Sequence, residues 1–347
     1  TTVLFIIAIA VAALVGAGTS TVCIVGKSWD FHVTEALGTT LDEGVAMVGE
    51  SVRFLRNAGL RGLFDAEHFF DGYRANPEYA LETLQAAYDS GADCLCLCDT
   101  NGGSFPDFVQ SVTKLVKERF PVSIGIHAHD DAGMAAANSV LAVAAGATHV
   151  QGTLAGFGER CGNANLATVL ANLQLKVGCD CVPPEALERL TSTVHEVADI
   201  SNISVGKNTP YVGANAFAHK GGMHVDGVMK NSLTFEHVSP SAVGNNRRVM
   251  MSEVAGRSAI LEKVKGFYPD IKKDSEEATR IIEMVKQLEH QGYQFEGAEA
   301  SFELEVRKLL GTRKKFFELQ MLSVLDEQQA DSRKKPSFAT IKVLVGD

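Results

Sequence analysis

Two histidines two residues apart, His127 and His129, lie in the string GIHAHDDAG at the end of a β-rich run. In an extended strand, residues i and i+2 point to one side, so both imidazoles project together. Two such nitrogens can hold a divalent ion, and an open metal site can polarise both oxygens of a 2-oxo acid. A His-x-His pair alone serves structure about as readily as chemistry. The adjoining Asp130 and Asp131 strengthen the metal reading, because carboxylates commonly orient ligating imidazoles.

Other residues able to do chemistry stand at the ends of similar runs. In GFGERCGNANL, Asn163 offers a neutral oxygen near such a metal, while Glu159 and Arg160 offer an ion pair that would close the turn. Glu67 follows an apolar run in FDAEH, where a partly desolvated carboxylate can move protons or form a structural salt bridge. Thr100 in CDTNGG has a hydroxyl suited to a substrate carboxylate, or to closing a hydrogen-bonded turn. Further on, AHKGGMHVD brings His219, Lys220, His224 and Asp226 around a glycine pair. If that segment is extended, His224 and Asp226 share a side and can pass a proton.

These residues need a scaffold, and the sequence pattern supplies one. β-rich runs stand at residues 20–26, 62–67, 93–99, 123–129 and 149–153, and the starts of the last four lie 31, 30 and 26 residues apart, the size of one βαβ step. Between them, residues 41–58, 77–90, 105–120 and 133–145 carry apolar side chains at helical spacing. Gly59, Gly91 and Gly146 stand where C-terminal glycines stop three of these helices. Chemistry-bearing residues crowd where each strand runs into its following loop. That distribution favours a (β/α)8 TIM-type barrel over the alternative of an open doubly wound sheet.

Five units are readable where a barrel has eight, so further units are expected ahead of Thr1, with residues 3–18 as the remains of one. Residues 1–180 read as the partial barrel and 181–311 as helical linker subdomains. There 181–202 is helical after Pro183-Pro184, 274–290 is amphipathic, and Ser301 caps a helix to Leu310. Residues 312–347 alternate as strands do and read as the start of a further domain of mixed α and β structure.

Composition narrows the class. The net charge of −10 over 347 residues, with scattered Lys and Arg, leaves no basic footprint for nucleic acid. Cys94, Cys96 and Cys98 alternate inside an apolar run. They read as one buried strand face rather than a metal or disulfide framework, which points to a reducing, cytoplasmic compartment. The apolar run 3–15 is shorter than a membrane helix of about 20 residues, so no membrane partner is expected.

Together, CDTNGG, GIHAHDDAG, GFGERCGNANL and AHKGGMH resemble the 2-isopropylmalate, homocitrate and citramalate synthase family. GKSWDFHVTEAL, DAEHFFDGY and HQGYQFEGAEASFEL look most like its citramalate synthase branch. The resemblance implies an acyltransferase that condenses acetyl-CoA with a 2-oxo acid in a Claisen step, then hydrolyses the thioester. Pyruvate leads as the acid, in isoleucine and leucine biosynthesis, with 2-oxoisovalerate the alternative. It also implies a divalent ion (Zn, Mn or Mg) on His127 and His129 with Asn163 beside it, Glu67 as the active-site glutamate and Thr100 on the substrate. His224, with Asp226 nearby, would assist proton transfer from the partner subunit of a homodimer, and an amino-acid effector would bind the C-terminal region. Three departures stand out. The family's Arg-Asp pair, whose aspartate completes the metal site, has no counterpart; Asp130 replaces an Asn; and Phe235 stands where a catalytic Tyr is expected. An impaired enzyme is therefore a further reading. A zinc aldolase or acyl-CoA lyase would share His-x-His, but AHKGGMH speaks against it.

Overall fold

In the computed structural model, which describes residues 13–220, 222–249, 257–295, 298–326 and 337–345, five strands pair in parallel. They are β1 (Thr21–Lys27), β2 (Arg61–Glu67), β3 (Cys94–Asp99), β4 (Ser123–Ala128) and β5 (His149–Gln151), hydrogen-bonded in the order of the sequence. A doubly wound sheet reverses its order at a switch point. This one does not, and the fold is of the TIM-barrel type. Most of the 3–18 run lies outside the described residues.

The crossovers are α1 (Leu41–Asn57), α2 (Phe69–Ala75) with α3 (Pro77–Asp89), α4 (Pro106–Arg119) and α5 (Ala135–Ala144). Elements match their expected bounds to within about two residues. Their ends follow from local chemistry. The Thr40 hydroxyl accepts from Glu43 N–H at the start of α1, and the Asn76 side chain accepts from Tyr79 N–H ahead of Pro77 in α3. Gly59, Gly91 and Gly146 take φ of 76°, 91° and 107°, the left-handed conformation of helix-terminating glycines.

Alternation along the strands sorts two faces. Val22, Ile24, Phe64, Ala66, Leu95, Leu97, Ile124 and Ile126 are buried in one cluster with Val52 and Leu55 of α1, Leu84 of α3 and Val112 of α4. At about 25 cal/mol per Å² of apolar area, this helix-facing core is the main stabilising term of the sheet. The residues between, including Asp65, Glu67, His127 and Gln151, share the opposite face. Cys94, Cys96 and Cys98 lie on that face too, all buried, and burial pushes the Cys96 thiol well up.

Packing breaks at a different place from the expected boundary after residue 180. The first unit runs to Phe217 and takes in His237–Arg247. The reason is apolar: Leu187 of α7 (Pro184–Leu187) and Leu190 and Val194 of α8 (Leu190–Ile200) pack with Ala167 and Ala171 of α6 (Leu166–Asn172), and with Phe217 and Val243.

The second unit holds Ala218–Glu236 and the described residues from Arg248 onward. A two-residue parallel pair, β6 (Ala218–His219) and β7 (Arg248–Val249), accompanies four helices, α9 (Gly222–Lys230), α10 (Arg257–Lys265), α11 (Glu276–His290) and α12 (Glu299–Leu309). Ile260, Val264, Ile281, Val285, Phe302 and Val306 form their core. Ser275 caps α11, but α12 begins at Glu299 without a side-chain cap, so Ser301 lies inside the helix it was expected to start. The antiparallel hairpin β8 (Glu318–Asp326) and β9 (Ser337–Leu344) is exposed throughout. No helix among the described residues is long and apolar enough to cross a membrane.

One contact fixes the loop after β1. Gly72 of α2 packs so closely that a Cβ would overlap the Ser28 carbonyl oxygen and come within 2.9 Å of Trp29 Cα. The Ser28 hydroxyl is 2.8 Å from that of Thr83, both buried. Gly72→Ala should therefore cost about 1–3 kcal/mol in urea unfolding. Gly103→Ala, where no atom lies within 4 Å of the new Cβ, should stay within about 0.5 kcal/mol.

Candidate active site

The C-terminal strand ends bring chemistry-bearing residues into register. Lys27 pairs with Glu67 across β1 and β2, Cys98 with His127 across β3 and β4, and His127 with Gln151 across β4 and β5. Lys27 Nζ forms an ion pair with Glu67, each side chain about a quarter exposed. The salt-bridge reading of Glu67 is thus realised, and the pairing holds a carboxylate in place at the strand end.

His127 Nε2 and His129 Nε2 face each other at 3.4 Å. That is the spacing of neighbouring corners in a tetrahedral shell of about 2.1 Å radius. His127 Nδ1 lies 2.8 Å from Gln151 Oε1, and Gln151 Nε2 donates to Asp65 Oδ1 at 2.8 Å. His129 lies just beyond β4 and bridges to Asn163. Asn163 Nδ2 donates to the Phe157 carbonyl, but its Oδ1 and His129 Nδ1 are buried without a partner. A buried unsatisfied acceptor costs about 1–3 kcal/mol, so a partner would stabilise the Asn163 oxygen. Burial foremost, then the charges of His127 and Arg160, lowers the His129 pKa and favours the neutral imidazole that metal binding needs. Among the described residues no three His, Cys, Asp or Glu cluster as a metal site. The groups here with the chemistry to hold a cation are two imidazoles and one amide oxygen.

Asp130 and Asp131 do not orient the imidazoles. Asp130 accepts from Ala135 N–H at the start of α5, where helical N–H groups lack partners. Asp131 takes a two-point bond from Arg160, at 2.7 Å from Nε and 2.9 Å from Nη2, which holds its carboxyl below the usual range. Arg160 adopts φ of 55° and also donates to the Thr100 carbonyl at 2.6 Å. The expected Glu159–Arg160 ion pair is present but long, at 3.9 Å with the Glu159 side chain 87% exposed, and Asp131 makes the close contact. Thr100 Oγ1 accepts from His68 N–H at 2.8 Å, which leaves the hydroxyl hydrogen free to donate.

The downstream cluster is arranged otherwise than expected. Its segment is helical in α9, and positions two apart on a helix do not face each other, so His224 and Asp226 diverge. Asp226 accepts from Lys230 one turn on, at 2.6 Å, which lowers its pKa. The exposed His224 ring stacks on Phe235 at 4.2 Å between centroids, and the buried His219 bonds Glu236 at 3.1 Å. Gly221 lies outside the described residues.

Asp65 and Gln151 escaped sequence reasoning. The signal was parity: Asp65 shares its face with Glu67 inside an apolar strand, and Gln151 closes a strand beside His127.

The strand ends of a parallel barrel sheet thus carry paired imidazoles, and the comparisons give the family. The family model described as HMGL-like matches residues 5–201, over half of the chain, and the chain belongs to that family. A second model, homocitrate synthase post-HMGL domain-like, matches residues 211–293. The (R)-citramalate synthase of Aquifex aeolicus is 48% identical over 96% of this chain and 64% of its own length. That of Synechocystis sp. is 47% identical over 96% and 63%. The chain thus spans less than two thirds of these relatives. An HMG-CoA lyase structure from Bacillus subtilis, 21% identical, covers 56% of this chain and 68% of its own with a TM-score of 0.49.

Because Arg160 depresses the Asp131 pKa, the pair stabilises the fold above the unfolded carboxyl pKa of about 3.9 and loses that contribution as pH falls through the lower folded value. Arg160→Gln should therefore cost more stability at pH 7 than at pH 3, where part of the ion pair's contribution is already gone while the bond to the Thr100 carbonyl is lost at both. Denaturant midpoints at the two pH values test this; an equal deficit at both would refute the assignment.

Proposed function

We propose that this protein condenses acetyl-CoA with pyruvate to give (R)-citramalate. The facing Nε2 atoms of His127 and His129, with the unpartnered Oδ1 of Asn163, whose backbone bridges that of His129, carry the proposal, and the similarity to citramalate synthases gives it a reaction. His127, His129 and Asn163 would hold a divalent ion, which when bound supplies an electrophile for the oxygens of the 2-oxo acid.

Glu67 then acts as the base that takes a methyl proton from acetyl-CoA, and Lys27 holds its carboxylate in position until it does. The methyl carbon forms its bond to C2 of the 2-oxo acid, that carbon's oxygen gains a proton, and water hydrolyses the thioester to release CoA thiol. Thr100 donates its hydroxyl hydrogen to the substrate carboxylate, while Arg160 fixes the Thr100 backbone. His224, from a second copy in a homodimer, assists proton transfer, while Asp226, turned away from it on the same helix, is paired with Lys230. The C-terminal hairpin belongs on this reading to a region that takes an amino-acid effector. Seven free cysteines suit a reducing, cytoplasmic setting.

Thiol release from acetyl-CoA should depend on pyruvate, and 2-oxoisovalerate should react at least about tenfold less efficiently, the value of apolar groups in a fitted pocket. The reverse preference, or no release with either acid, would overturn the reading. His127→Ala and His129→Ala should each abolish tight metal binding, read by competition with a chromophoric chelator. A second reading, an impaired synthase, rests on Phe235, which brings no hydroxyl to His224. Phe235→Tyr should then raise kcat, and a flat response would assign the proton to another group.

A further inference from the structure

A metal-ligating imidazole must offer a bare ring nitrogen, and which nitrogen is bare depends on what the other one touches. His127 and His129 differ in this respect although they share one site. His127 Nδ1 has the Gln151 amide oxygen at 2.8 Å, whereas His129 Nδ1 has no partner. The amide of Gln151 is itself oriented. Its other end lies 2.8 Å from Asp65 Oδ1, and Asp65 is a buried carboxylate on β2, only 8% exposed.

A carboxylate only accepts, so the end of Gln151 that meets Asp65 must be the NH2 group. Turning the amide over would set oxygen against oxygen in a buried place and NH2 against the ring nitrogen. With NH2 committed to Asp65, Oε1 faces His127, and the ring atom that meets it must carry hydrogen. His127 Nδ1 is therefore protonated and Nε2 is left as a lone pair, aimed at His129.

We propose that Asp65 and Gln151 are positioning residues that fix His127 in its Nδ1–H form, so that Nε2 is a ready donor to a cation before any cation arrives. His129 has no such support. In the metal-free protein its Nε2–H donates across the 3.4 Å gap to His127, and it is the ligand whose proton must move. The two histidines thus carry opposite tautomers, set by a line of donors and acceptors running from β2 through β5 to β4. The proposal rests on the metal reading of the pair only for its consequence; the order of hydrogens is a property of the chain itself.

Long-range 1H–15N correlation spectra of the neutral imidazoles in the metal-free protein read this order directly. Nδ1–H is expected on His127 and Nε2–H on His129. Asp65→Asn frees the amide to turn, and Gln151→Leu removes it; each should mix the His127 tautomers and weaken Zn binding by roughly tenfold to hundredfold in chelator competition. The double variant Asp65→Asn with Gln151→Glu exchanges the two partners while keeping the order. The amide introduced on β2 donates to the carboxylate introduced on β5, and that carboxylate accepts from His127 Nδ1–H. This variant should restore the His127 signature and recover most of the affinity, which a loss of packing would not.

Nε2–H on His127 in the parent protein would overturn the proposal. So would single variants with unchanged spectra, or a double variant that stays as defective as the single ones. A parent protein with the expected tautomers and no affinity for Zn would instead remove the metal reading and leave the positioning intact.

Discussion

The two-residue period of a β-strand is the constraint on which the site depends. It puts Asp65 with Glu67, and His127 in register with Gln151, on one face, while Phe64, Ala66, Leu95, Leu97, Ile124 and Ile126 fill the other with apolar surface. A slip of one residue in any strand would turn polar groups into the helix-packed core and apolar ones into the site. The helix-facing core therefore does more than stabilise the fold. It enforces the register that lets three different strands contribute to one hydrogen-bonded line.

Beyond the strand ends, charge decides how the loops are held. Arg160 commits two N–H groups to Asp131 and another bond to the Thr100 carbonyl, so the segments after β3, β4 and β5 are tied by one guanidinium. A two-point bond between an arginine and a carboxylate is directional as well as strong. It holds the Thr100 backbone beside the strand end while His68 N–H holds the hydroxyl oxygen. Arg160 and His68 sit at left-handed φ, 55° and 56°, in the two loops that these bonds hold.

Much of this was legible in the sequence. Apolar alternation and terminating glycines report on local structure, so the five strands and their helices could be read, and the histidine pair placed at a strand end. What escaped depends on contacts between distant segments. Gln151 and Asp65 matter only through their register with His127 and each other, which a single sequence does not display. Asp131 could be seen as a carboxylate near the histidines, but not as the partner of Arg160, 29 residues on. An extended segment after the glycine pair at 221–222 would put His224 and Asp226 on one side, whereas Gly222 opens α9 and sends them apart. Asn163 was readable as a candidate donor; only the structure shows that its oxygen is buried without a partner.

If the paired imidazoles, and not the chain's thiols, form the cation site at the strand ends, the difference is visible in the metal's own surroundings. X-ray absorption at the zinc edge of the loaded protein reads it most directly, since nitrogen and sulfur ligands scatter from different distances. Two imidazole nitrogens are expected at about 2.0–2.1 Å, with the rest of the shell made of oxygen. A sulfur shell at about 2.3 Å, from Cys94, Cys96, Cys98 or Cys161, would contradict the assignment.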